Sequence, residues 1–200
     1  MTSESKKKLS LVIIIISFIA LLYGTIRALE IVDRTQVGTS DGIYTSYVTT
    51  SEEIQSKAFD LTQHCSDALC EVQKLLDFVT HIPYHTTTFQ RYSAQKTIQQ
   101  NFGDCDDKSN LLISMLHTLD KEAYFVLVPK HIFIIVALDD QRLDRKKGLW
   151  VNGKKYYILE STAKGSKVGF PLHYKLEDID VIVEPFSNEK ISIEKLEWKL

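Results

Sequence analysis

No glycine-rich phosphate loop, no internal repeat and no low-complexity tract occurs in this sequence. The first absence removes the usual backbone cradle for nucleotide phosphates. Nor is any basic stripe interleaved with aromatics. The formal net charge of -2 is too even to suggest a nucleic-acid binder. Cysteine is scarce, with three in 200 residues. Cys105 and His131 lack the paired short spacings that zinc ligands use. What is present is enough apolar residue, 44% of the chain, for one compact domain with a real core.

Charge is missing altogether from Leu9 to Ile26, directly after Lys6, Lys7 and Lys8. A run of this length falls within the roughly 17–25 residues that cross a bilayer. The apolar core of a cleaved signal peptide is usually shorter, about 7–15 residues, and ends in a small-x-small site. Ala20, Gly24 and Ala28 form no clean site of that kind. A buried soluble helix would show a polar face, and this stretch has none. A transmembrane signal anchor over residues 9–26 is therefore expected. Positive charge stays on the cytoplasmic side, so residues 1–8 are expected inside and the rest in a periplasm or extracellular space. Residues 27–50, with Gly38, Ser40, Asp41 and Gly42, read as a linker, and 51–200 as the exported domain.

Along that domain the period is first helical. Thr50 and Glu53 have capping-box spacing before Ile54, Ala58 and Leu61. A second helix spans Cys70 to about Thr80 and stops before Pro83. A third, short helix covers roughly Ser93 to Asn101. In "NFGDCDDKSNLLISMLHTL", Leu111, Leu112, Met115, Leu116 and Leu119 share one face behind Asp104, a good N-cap. The period then changes. Ala123–Val128 and the almost wholly apolar His131–Leu138 read as strands, the second covered on both faces. A charged loop is expected over Asp139–Gly153, then strands at Lys154–Thr162 and Asp180–Glu184, with a further strand in the tail Ile191–Leu200. Helices followed by an antiparallel meander make an α+β fold.

Cys105 lies at the start of a helix, where the macrodipole favours thiolate. Asp104, Asp106 and Asp107 oppose this and favour a protonated histidine nearby. A nucleophilic cysteine needs a base, and the base needs an orienting carboxylate. His131 opens one strand and Glu160 closes the next. If the two strands are neighbours, these residues meet at one edge of the sheet.

Three elements together carry a resemblance: Gly103-Asp104-Cys105 heading a helix, His131 opening a strand, and the aromatic strand "YYILEST" ending in Leu159-Glu160-Ser161-Thr162. They resemble the transglutaminase-like domain superfamily, whose papain-like core carries Cys, His and Asp in that order. The upstream "DFVTHIPY" is similar to that family's helix running into an aromatic-containing turn. The resemblance covers roughly Glu52 to Gly169, with Glu160 standing where the family has Asp. It implies a papain-like α+β core and a cysteine peptidase or amidase using Cys105, His131 and Glu160 on a protein or peptide. "GDCDD" also resembles bacterial transglutaminase-like cysteine peptidases, some periplasmic and calcium-binding near the cysteine. Asp104, Asp106 and Asp107 are hard oxygen donors of the kind calcium takes. Capping and dipole roles explain them more simply, and no cofactor is expected.

Two other functions stay open: acyl transfer to an amine, as in a true transglutaminase, and a non-catalytic binding module on the same fold. Gln99 and Tyr92 are the side chains offered as a second oxyanion donor, after the Cys105 N–H. Cys65 and Cys70 lie too far apart for a bridge on an unbroken helix, about 7.5 Å along the axis. If the chain breaks between two helices there, an oxidising exterior favours a disulfide. Two separate buried thiols are the equal alternative.

Overall fold

The computed structural model describes residues 3–39, 42–46, 48–86 and 92–200. The chain divides into two compact units, one ending at Gln36 and the other beginning at Val37. The first is a single helix, α1 (Ser3–Thr35). Its stretch Lys8–Ala28 is long and apolar enough to cross a membrane.

The second unit starts with a short hairpin, β1 (Gln36–Thr39) and β2 (Gly42–Thr45), inside the segment read as a linker. Val37 and Tyr44 are buried in the core there, and the Tyr44 hydroxyl donates to Asn110 Oδ1 at 2.8 Å. Ser40, Asp41 and residue 47 of that segment lie outside the described residues. Four helices follow: α2 (Glu52–Thr62), α3 (Ala68–His81), α4 (Ala94–Gln100) and α5 (Cys105–Thr118). Each begins at a side chain that accepts an otherwise orphaned N–H: Ser51, Asp67, Ser93 and Asp104. The first cap is thus Ser51 and not Thr50, because Ser51 Oγ reaches Ile54 N. The chain does break between α2 and α3, and there Cys65 and Cys70 form a disulfide with Cα atoms 5.5 Å apart.

Strands β3 (Ala123–Val128), β4 (His131–Val136), β5 (Gly148–Val151), β6 (Lys154–Leu159), β7 (Val181–Val183) and β8 (Leu196–Lys199) make one antiparallel sheet in the order β7-β3-β4-β6-β5-β8. The expected loop at 139–153 is corrected by β5. Leu149 and Val151 are buried, and Asn152 and Gly153 adopt the positive φ of a tight hairpin turn into β6. An Asn-Gly turn between apolar residues is the signal that the surrounding charge obscures.

Both sheet faces are covered. Ile132, Ile134 and Val136 of β4 face the helices, together with Leu111, Leu112, Met115 and Leu116 of α5. Each such leucine buried in full contributes roughly 1.5–3 kcal/mol. Phe133 and Ile135 point to the opposite face, where Phe170, Leu172 and Tyr174 pack. One layer of helices on an antiparallel sheet makes the expected α+β architecture.

Candidate active site

The first turn of α5 is assembled by its own carboxylates. Asp104 Oδ1 accepts from the N–H groups of Asp106 and Asp107, both at 3.1 Å. Asp107 answers by accepting from Asp104 N at 3.3 Å and from Tyr92 N at 2.8 Å. A Cβ at position 103 would meet Asp107 Cβ at 2.8 Å, so glycine is required for this close approach. Gly103 is pinned on both sides, donating to Pro83 O at 3.2 Å and accepting from His85 N at 3.0 Å. Tyr84 therefore runs beside Gly103 in a parallel bridge.

Cys105 is the first residue of α5, half-buried, with its sulfur 3.5 Å from Asp106 Oδ1. Burial pushes the thiol well above its usual range, and the Asp106 and Asp104 charges add to this. The dipole alone does not deliver a free thiolate.

His131 and Glu160 are brought together by strand pairing. β4 and β6 pair with Ile134 opposite Leu159. Carried one residue further, this register sets Glu160 opposite Phe133, diagonal to His131 on the same face. Glu160 Oε2 lies 2.8 Å from His131 Nε2. The other oxygen, Oε1, accepts from Thr162 N at 3.0 Å and from Thr162 Oγ1 at 2.5 Å. Burial alone would raise the Glu160 pKa. The His131 contact and the two Thr162 bonds outweigh it and hold the carboxyl below its ordinary value. With Nε2 directed to the carboxylate, Nδ1 is the ring nitrogen not taken up by this contact.

No hydrogen bond joins Cys105 to His131 among the described residues. Beside the histidine lies Tyr174, which the sequence pattern did not single out. Its ring stacks on His131 at 5.9 Å and 21°. Burial raises its phenol pKa, and the charges of Glu160 and Cys105 both reach it. Tyr84, 53% exposed, flanks the thiol as well: burial and then the Cys105 charge push its phenol up. A cleft of about 250 Å³ opens on the histidine side, lined among others by His131, Glu160, Thr162, Phe170 and Tyr174.

Of the offered oxyanion donors, Gln99 gives its amide to Glu53 Oε2 at 3.1 Å. Tyr92 packs edge-on against Phe102, with its backbone N–H spent on Asp107. The aspartates offered to calcium are largely engaged: Asp104 and Asp107 cap the helix, and Asp106 accepts from the thiol. Among the described residues no group of three His, Cys, Asp or Glu side chains is arranged to hold a metal ion.

Residues 55–132 match the model of the transglutaminase-like superfamily. The matched segment contains Cys105 and His131 and stops before Glu160. No curated protein matches the chain. Among solved structures, a candidate cysteine protease from Cytophaga hutchinsonii is similar at 17% identity and TM-score 0.44, over 76% of this chain and 54% of that one. A candidate protease from Parabacteroides distasonis is similar at 14% identity and TM-score 0.45, over 71% of this chain and 27% of that one. This chain thus spans about half the length of the first and about a quarter of the second. From residue 55 to 132 the chain is similar to the core of the transglutaminase-like superfamily.

Proposed function

We propose that the domain is a cysteine hydrolase acting on amide bonds of a protein or peptide, with Cys105 as nucleophile, His131 as base and then acid, and Glu160 as the orienting carboxylate. The observation that carries this reading is the 2.8 Å contact of His131 Nε2 with a buried carboxylate, which leaves Nδ1 for the thiol at the head of α5. The thiol is too hard to ionise alone, so its proton passes to Nδ1 as the sulfur attacks the carbonyl carbon. Glu160, held ionised, stabilises the imidazolium that results. The oxyanion of the tetrahedral intermediate meets the Cys105 N–H, one of the orphan donors of the helix start. As the intermediate collapses, the C–N bond breaks and His131 returns the proton to the leaving amine, giving a thioester. Water, deprotonated by His131, then attacks the thioester; the C–S bond breaks, the acid is released, and His131 returns its proton to the Cys105 sulfur.

The reading also takes Lys8–Ala28 as a single membrane anchor with the domain on the non-cytoplasmic side. Support comes from its apolar length and from a disulfide of the kind an oxidising compartment maintains. The test uses the full chain in detergent micelles. Wild-type protein should label at Cys105 with iodoacetamide and cleave members of a quenched-fluorescent peptide library, and Cys105→Ala should do neither. Turnover that survives Cys105→Ala would overturn the assignment. Product analysis with and without an added primary amine separates hydrolysis from acyl transfer.

A further inference from the structure

On the sheet face away from the helices, the chain from Gly169 to Tyr174 runs as a strap from β6 to β4. It is tied at both ends. Gly169 N and Phe170 N both donate to the Ile158 carbonyl at 3.1 Å. The Tyr174 ring stacks on Phe133 at 6.1 Å and 11°, as well as on His131. Gly169 turns the chain into the strap at φ 77°, where a larger residue would be strained. Phe170 is braced by the His173 ring, stacked at 5.3 Å and 18°. The cleft of about 250 Å³ lies against this strap. The sheet contributes Phe133 and Ile158 to its lining, the strap contributes Phe170, Leu172 and Tyr174, and His131 with Glu160 line the same space. Pockets for drug-sized ligands hold about 300–1,000 Å³, so this one is scaled to a single large side chain.

The lining also selects by chemistry. Glu160 gives one oxygen to His131 and the other to Thr162. A basic side chain entering here would meet the imidazolium that forms during the reaction, and an acidic one would meet the Glu160 charge. Three aromatic and two aliphatic side chains favour an apolar occupant, and a ring can add edge-on or offset contacts to them. Its position along the substrate follows from the reaction. The acyl carbon must reach the Cys105 sulfur, and Cys105 does not line the cleft. The leaving nitrogen must reach His131, which does. We propose that this cleft receives a large apolar side chain, aromatic by preference, from the residue that supplies the leaving amine, with Phe170, Leu172 and Tyr174 as specificity-determining residues. The assignment rests on the Cys–His–Glu reading given above.

The experiment digests a mixed-sequence peptide library with the full chain in micelles and reads the cut sites by mass spectrometry. Phe, Tyr, Trp or Leu should follow the cleaved bond about tenfold more often than Ala, Lys or Asp. Phe170→Ala should lower that preference by about threefold or more while changing cleavage before alanine by less than about twofold. If cleavage is lost in Cys105→Ala but shows no apolar preference after the bond, or a preference only on the acyl side, the cleft assignment falls and the Cys–His–Glu reading stands. A preference that Phe170→Ala leaves unchanged overturns the assignment as well. If turnover survives Cys105→Ala, or no peptide is cut, the Cys–His–Glu reading falls and binding decides the cleft by itself. Calorimetric titration of Cys105→Ala with N-acetylphenylalaninamide, N-acetylalaninamide and N-acetyllysinamide should then show the first bound about tenfold more tightly than the others. Equal binding of the three overturns the proposal. Should Phe170→Ala not fold, the unaltered lining still gives both readouts, the cut-site profile and the titration.

Discussion

Glu160 divides its two oxygens between two tasks: Oε2 meets His131 Nε2 at 2.8 Å, and Oε1 is clamped by the Thr162 N–H and hydroxyl. The longer glutamate side chain thus reaches the histidine from a fixed anchor. Replacing it by glutamine keeps the shape but removes the charge behind the imidazole. Glu160→Gln is expected to lower turnover by about two to four orders of magnitude with an unchanged circular dichroism spectrum, by analogy with neutralising a triad carboxylate. Glu160→Asp should fall about 1 Å short, and a displacement of that size costs about a hundredfold. Near-full activity in Glu160→Gln, with Cys105→Ala inactive, would leave a Cys–His pair without an orienting acid.

Asp106 sits on the thiol. After burial, its charge contributes most to keeping Cys105 protonated, and its Oδ1 is the hydrogen-bond acceptor of the sulfur. Removing a neighbouring negative charge lowers a thiol pKa. Asp106→Asn should therefore raise the rate of Cys105 alkylation at pH 7 by roughly threefold to tenfold, one pKa unit being tenfold in thiolate. A slower rate would mean that Asp106 assists deprotonation.

The parts of this structure legible in the sequence are those that repeat or terminate. The stripe from Leu111 to Leu116 and the cap at Asp104 mark α5, and the apolar run after His131 marks β4. Antiparallel pairing of β4 with β6 then brings His131 and Glu160 into contact, because both lie at strand ends. What escapes is set by tertiary surroundings. Nothing in the sequence marks Lys108 for burial, yet it is buried and its Nζ donates to the Ile82 carbonyl at the end of α3. Tyr174 lies in a segment without periodicity, and only the curl of the chain over the sheet stacks it on His131. Strand β5 is short and lies between charged residues on both sides, so composition alone hides it.

The Cys65–Cys70 bridge closes a small loop at the break between α2 and α3. Loop-closure entropy for about six residues gives a stabilisation of about 2 kcal/mol. For a domain of this size that is a drop of about 4–8 °C in Tm on reduction. Mass analysis of non-reduced peptides should show the two cysteines linked. Two freely alkylated thiols in protein isolated without reductant would remove the bridge and the compartment argument with it.

The topology reading has its own check. Three lysines precede the apolar stretch, and positive charge stays inside. Protease added to intact cells, with any outer barrier opened, should digest the domain and spare the N-terminal tail. Full protection of the domain would reverse the orientation.

Asp107 makes stability depend on pH in a direction opposite to most carboxylates. It is fully buried, and burial raises its pKa from 3.8 to about 6, against the pull of the Tyr92 N–H and with the Asp104 charge adding to the rise. The native state thus holds a proton that the unfolded chain has already lost. Between about pH 4 and pH 6 stability falls as pH rises, by at most about 1.4 kcal/mol per unit, and then levels off. Glu160, whose pKa is lowered in the native state, acts in the other sense: its contribution is present above about pH 4.5 and is lost as pH falls below it. The two windows barely overlap. Urea unfolding of wild type and Asp107→Asn at pH 4.5, 5.5, 6.5 and 7.5 isolates the Asp107 contribution, because histidines and other groups common to both proteins cancel in the difference. The wild-type minus variant stability should decrease by on the order of 2 kcal/mol across that range. Parallel curves would mean that Asp107 is ionised throughout, held so by the two N–H groups it accepts.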